Sequence, residues 1–267
     1  MDDTRKIYWH GPIFEALQLV FDGNDLDYKD EFPLGKEAII VDAIITKDNN
    51  VHVNKDIAYI FKGHNLFEFK SPKASFSIFD YVKTIGYAGV YSSFKKVLMT
   101  DITITIILTM FPRKLVKFLE NERNIKVRDI GNGIYYIEGE SFPIQILESK
   151  KLSEGNLFLR NLRDDLSVED MKATLEAYAD RRQVDKRSVY IDRLSKANPT
   201  AFKEAMKMVT EYTADIILEA FEESGRLIER DIEMKKKAAR KMLLDGTPVE
   251  KVCEWLELPH ETVAGLV

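Results

Sequence analysis

Cysteine is nearly missing from this chain: Cys253 is the only one among 267 residues. A single chain can therefore form no internal disulfide and no cysteine-based zinc cluster. Histidine is scarce too, with His10, His52, His64 and His260 scattered along the sequence, which argues against a histidine-rich metal site. No long apolar run is present. The most apolar segment, Ile102 to Met110, falls well short of the roughly 20 residues a membrane-spanning helix needs. Met1 to Lys6 is not followed by an apolar stretch of signal-peptide character. Internal repeats and low-complexity tracts are missing, and so is net positive charge, the formal value being −5. That balance counts against a protein that coats nucleic acid non-specifically, because such affinity comes largely from neutralised phosphates. It leaves room for an enzyme, which needs only a local basic surface. The expectation is a soluble cytoplasmic protein with no membrane span.

What is present is an ordinary globular composition, 45% hydrophobic and 31% charged, enough for one main domain and an accessory region. Ile13, Ala16, Leu17 and Val20 recur at helical spacing after Gly11-Pro12, and Asp22-Gly23-Asn24 stops that helix. Tyr28 to Leu34 reads as extended, Ala38 to Thr46 as a buried strand, Val51 to Phe61 as strand or short helix, and Leu66 to Lys70 as the next strand. Ser77 with Asp80 is a capping-box signature for a helix to about Tyr91. Gly86 and Gly89 lower its propensity, and close packing on a sheet is the expected compensation. Asp101 to Thr109 reads as a strand and Pro112 to Asn121 as a helix. Short strands at Ile125 to Val127, Ile134 to Ile137 and Ile144 to Leu147 follow. After about Lys151 the pattern turns helical, with a break at Asn198-Pro199-Thr200 and a long charged helix from about Ala201 through Leu244. Thr247-Pro248-Val249-Glu250 then starts a short helix to Glu257, and a final turn follows Pro259. The expected division is a core over residues 1–151, a helical region over 152–245 and a tail over 246–267. The expected class is α/β, helices packed on a mixed sheet.

Two strands carry charges out of keeping with burial. Asp42 lies inside Ala38 to Ile45, and Glu68 and Lys70 lie inside Leu66-Phe67-Glu68-Phe69-Lys70. A buried charge is costly unless it is paired or holds a metal. Because strand side chains alternate, Glu68 and Lys70 share one face while Phe67 and Phe69 share the other. If the two strands are neighbours, both carboxylates and the lysine converge. Converging carboxylates suit a hard divalent cation such as Mg²⁺ or Mn²⁺. The other reading of the trio is a charge cluster at a sheet edge, with Lys70 pairing one of the acids.

On these residues the chain resembles the PD-(D/E)xK nuclease superfamily, with Asp42 in the place of the strand acid, Glu68-Phe69-Lys70 in that of Glu-x-Lys, and Glu15 in that of the first-helix acid. Within it the chain is similar to bacterial nuclease-family transposases, related to recombination-promoting nucleases. That likeness lies in Gly63 to Pro72, in Tyr87-Ala88, in Phe111-Pro112-Arg113-Lys114 and in the tail from Ala238 to Leu266. Two departures are that Asp42 follows Val41 rather than proline, and that a long loop separates it from Glu68. The resemblance implies a restriction-endonuclease-like mixed sheet flanked by helices and followed by a helical C-terminal region. It implies a Mg²⁺-dependent DNA endonuclease whose metal is held by Asp42, Glu68 and Glu15, with Lys70 orienting or deprotonating the attacking water. The alternative is a non-catalytic protein of nuclease fold that binds nucleic acid or assembles through its C-terminal helices.

Several residues admit two roles each. Glu15 is a metal ligand or an exposed helix acid. Lys83 and Tyr87 share a helix face and reach a phosphate or the attacking water, or else Tyr87 is core and Lys83 solvated. His64 suits a turn better than a ligand. Arg113 and Lys114, with Lys117, contact nucleic-acid backbone or form a solvated face. The run Lys235 to Lys241 can bind phosphates. The helices after Gly246 resemble a truncated helix-turn-helix or serve as a homodimerisation or capping element, the latter favoured because two short helices lack a supporting third.

Overall fold

The computed structural model describes residues 10–33, 40–48, 50–181, 188–256 and 258–266. Helix α1 (His10–Val20) is followed by strands β1 (Asp27–Pro33), β2 (Ile40–Thr46) and β3 (His64–Phe69), helix α2 (Ile78–Lys95), strand β4 (Ile102–Leu108) and helix α3 (Arg113–Glu122). Strands β5 (Lys126–Gly131), β6 (Ile134–Glu138) and β7 (Ile144–Glu148) complete one seven-stranded sheet of order β1-β2-β3-β4-β7-β6-β5. Both of its outer flanks are antiparallel, while β3, β4 and β7 run parallel at the centre. Every residue of β4 is buried, as a central strand covered on both faces requires.

Alternation along the strands divides two hydrophobic layers. Phe67, Phe69, Ile107 and Leu147 pack with Ile13, Ala16, Leu17 and Val20 of α1, the helical stripe read from the sequence. Leu66, Ile104, Ile106, Ile144 and Ile146 pack on the other face with Tyr81, Tyr87 and Ala88 of α2 and Leu115 and Leu119 of α3.

The helices after Lys151 are α4 (Leu157–Arg160), α5 (Val168–Asp180), α6 (Ser188–Ala197), α7 (Pro199–Met206), α8 (Glu211–Leu244), α9 (Val249–Leu256) and α10 (His260–Ala264). The packing does not break at Lys151. Phe158, Leu175, Tyr190, Leu194, Ile216 and Ile217 belong to the same buried cluster as α1. A smaller separate cluster of Ala239, Val252, Leu258 and Val263 joins α9 and α10 to the end of α8. The third helix that the tail was expected to lack is thus the last part of α8.

Three local expectations are corrected. The span from Ala201 to Leu244 is two helices: α7 ends at Met206, and Thr210 starts α8 by accepting the Thr213 N–H at 3.2 Å. Val51 to Phe61 is neither a strand nor an α-helix. It is an irregular stretch with one 3₁₀ turn at Asp56–Ala58, and its Val53, Ile57 and Phe61 are buried against the α1 layer. Gly86 and Gly89 do not pack closely on the sheet, since a Cβ at either would meet nothing within 4 Å. The expected strand start at Ala38-Ile39 lies outside the described residues, as does part of the expected extent of the first strand, at Leu34.

Candidate metal and nucleic-acid site

The antiparallel ladder between β2 and β3 pairs Thr46 with His64, Ile45 with Asn65, Ile44 with Leu66 and Ala43 with Phe67, and stops there. Asp42 and Glu68 are the next positions in that register. In place of a further backbone bond, the Asp42 Oδ2 accepts the Phe69 N–H at 2.7 Å. Asp42 is only 5% exposed, whereas Glu68 is half-buried. By alternation Glu68 and Lys70 lie on the side of Leu66, facing the α2 layer. The two carboxylates therefore sit at the end of the β2–β3 pairing, where one is anchored to backbone and the other reaches solvent.

Lys70 continues β3 beyond its last strand residue. Its N–H donates to the Ile107 carbonyl at 3.1 Å, and its Nζ donates to Asp80 Oδ1 at 2.8 Å. Asp80 is the capping-box residue of α2: its other oxygen accepts from the Ser77 N–H at 2.8 Å and the Ser77 hydroxyl at 2.6 Å. Burial pushes the Asp80 carboxyl up, but the hydrogen bonds from Lys70 and Ser77 and the Lys70 charge outweigh it, holding the group at about 2. Lys70 thus faces a partner that is ionised at neutral pH, on the helix that covers the site.

Lys83 and Tyr87 of α2 lie within the field of the same carboxylates. The Lys83 ammonium, 5.4 Å from the centre of the Tyr87 ring, is held protonated by its hydrogen bond to Tyr87, against burial, with help from the charges of Glu68 and Asp80. The Tyr87 hydroxyl is pushed up by burial and by the anions Glu68 and Asp42, against the pull of Lys83.

Beside Lys70, at the ends of the central strands β4 and β7, lies a cleft of about 580 Å³. Phe76 links the two, its ring centre 5.9 Å from Lys70 Nζ. Arg113 and Lys114, at the start of α3, line the cleft and are exposed. This is the carboxyl end of the parallel strands, where ligands gather in open α/β sheets.

Glu15 is placed elsewhere. Helix α1 covers the opposite face of the sheet, and the Glu15 carboxylate accepts the backbone N–H groups of Val189, at 3.3 Å, and Tyr190 at the start of α6. An acid at that position complements the unpaired N–H groups of the helix start. The structure accordingly gives Glu15 a helix-capping contact in place of the expected convergence with Asp42 and Glu68. His64 opens β3 rather than lying in a turn, its Nδ1 2.9 Å from the Tyr91 hydroxyl.

Sequence reasoning missed Asp80 as the partner of Lys70, having seen only its cap. It also missed Glu148 on the cleft wall. The signal for Glu148 was close to the one that singled out Asp42, an acid closing the strand-like segment Ile144 to Leu147. Among the described residues no three His, Cys, Asp or Glu side chains form a metal-holding group. Comparison with known proteins gives no matching family model, no matching curated protein and no matching solved structure.

Proposed function

We propose that the protein is a Mg²⁺- or Mn²⁺-dependent DNA endonuclease of the PD-(D/E)xK type. The observation that carries the reading is the meeting of Asp42 and Glu68 at the end of the β2–β3 ladder with Lys70 beside them. The order α1, antiparallel β2 and β3, α2, then β4 parallel to β3 supports a restriction-endonuclease-like arrangement. The donor set is oxygen only, and Mg²⁺ is commonly held by one or two carboxylates together with waters and substrate phosphates. Asp42 and Glu68 would hold the ion, which when bound supplies Lewis acidity at the scissile phosphate.

The chain's own groups do the rest. Phe69 N–H fixes the Asp42 carboxylate. Asp80 anchors the Lys70 ammonium, which orients the attacking water. Lys83 and Tyr87 offer donors to a phosphate oxygen, and Arg113 and Lys114 hold the backbone of the strand. Transposition or recombination is the biological setting suggested by the resemblance, and pairing of two copies along α8 would bring two sites into one assembly.

The deciding experiment is Mg²⁺ and Mn²⁺ calorimetry on the wild type and Asp42→Ala, with supercoiled-plasmid nicking on the same samples. Binding and nicking in the wild type, both lost in a folded Asp42→Ala, are expected. Nicking that survives in Asp42→Ala and in Lys70→Ala would remove the proposal. Absence of metal binding and nicking in the wild type would favour the non-catalytic reading. One observation supports that reading, the three-helix packing of the tail next to the basic run of α8.

A further inference from the structure

Glu148 is an acid in the wall of the cleft, and the proposed cleavage chemistry does not use it. The residue is 9% exposed. Tyr135 Oη donates to its Oε2 at 3.1 Å, and Lys151 Nζ lies 2.8 Å from the same oxygen. Both contacts fall on Oε2, which leaves Oε1 to accept an N–H from a ligand. Two features hold the group in place. The Glu148 N–H donates to the Gly133 carbonyl at 2.7 Å, and Gly133 has φ +75°, with no room for a Cβ, which would meet the Glu148 carbonyl oxygen at 2.6 Å. Next to the carboxylate the cleft has an aromatic surface, Phe111 and Tyr135, whose ring centres are 4.4 Å apart and whose planes are tilted by 47°. Arg113 and Lys114 line the same cleft.

The partly exposed Phe111 ring backed by buried Tyr135, an acceptor beside it and cations at the mouth match the three parts of a nucleotide. Bases stack on aromatic side chains whatever their identity, a carboxylate accepts from an exocyclic amine such as that of cytosine, and lysine and arginine take the phosphate. A base inside a duplex presents neither its face nor its pairing edge to such a cleft. We propose that this cleft binds one unpaired nucleobase next to the scissile phosphate, so that the protein acts on single-stranded or splayed nucleic acid. The inference rests on the nuclease reading for its setting, but binding can be measured without cleavage.

The test is fluorescence anisotropy with a labelled oligo(dC) strand and with a blunt duplex, in EDTA so that no metal is involved. The wild type should bind the single strand at least tenfold more tightly than the duplex. Phe111→Leu, which keeps apolar bulk and removes the π face, should lose about tenfold in single-strand affinity, and its duplex binding should not change. Glu148→Gln should weaken oligo(dC) more than oligo(dT). Thermal melts of each variant would establish folding, and Phe111→Tyr, which keeps the π face, should restore wild-type affinity. Equal affinity for the two forms, or single-strand binding unchanged in folded Phe111→Leu, would overturn the inference. The two proposals fail separately: metal-dependent nicking with no single-strand preference removes only the cleft, and single-strand binding without nicking removes only the nuclease.

Discussion

Asp80 joins the site to the fold at the level of single residues, and its titration gives a signed test. Its carboxyl lies at about 2 against an ordinary 3.8. A depressed folded value adds stability above the unfolded pKa and loses it as pH falls through the folded one. Asp80→Asn should therefore destabilise the protein at neutral pH, by about 1 kcal/mol once solvent screening of this partly exposed ion pair is allowed for. The gap between variant and wild type should shrink as urea denaturation is repeated from pH 5 down toward pH 3. Gly133→Ala combines a left-handed φ with a backbone clash at 2.6 Å and should cost about 3 kcal/mol or more. Its urea midpoint would report the loss, and its single-strand affinity would report the shift of Glu148.

At the level of elements, α2 and the C-terminal module behave differently. Helix α2 has a complete capping box at its start but carries Gly86 and Gly89, with open space around both Cα atoms. Gly86→Ala and Gly89→Ala should each stabilise by roughly 0.5–1 kcal/mol, the helix-propensity difference alone, read as a raised melting temperature without change in nicking. The cluster of Ala239, Val252, Leu258 and Val263 shares no residue with the two larger cores. Val252 is fully buried within it, so Val252→Asp should open the tail alone. Limited proteolysis should then cut between Met242 and the C-terminus while the remaining fragment keeps the wild-type melting transition. A lowered core transition would mean that the tail supports the sheet.

Across the whole molecule, one sheet separates the α1 layer from the α2 layer, and that separation decides which acids can meet. Among the described residues no helix is long and apolar enough to cross a membrane. The negative total charge, −5, coexists with a local basic surface of Arg113 and Lys114 at the cleft. Raising salt should weaken single-strand binding steeply, with a slope that falls by about 0.7 for each of these two cations removed. Anisotropy titrations over a salt series on Arg113→Ala and Lys114→Ala would measure it.

Local pattern was enough for most of the elements and for the charged pair of strands. Periods of two and of about 3.6 in the apolar residues are local, and they sufficed for α1, β3, β4 and α3. A charge inside an apolar run is likewise visible without partners, which is why Asp42, Glu68 and Lys70 stood out. What those charges meet depends on long-range packing. Asp80 lies ten residues after Lys70 in sequence and bonds it only because α2 folds back over β3. Glu15 looked eligible until α1 came to rest on the other face, against the start of α6. Glu148, Tyr135 and Lys151 form one group through β6–β7 pairing and the close approach at Gly133. Phe158, Leu175 and Tyr190 join the α1 cluster for the same reason: burial depends on which helices share a face, and that is set by long-range packing rather than by local pattern.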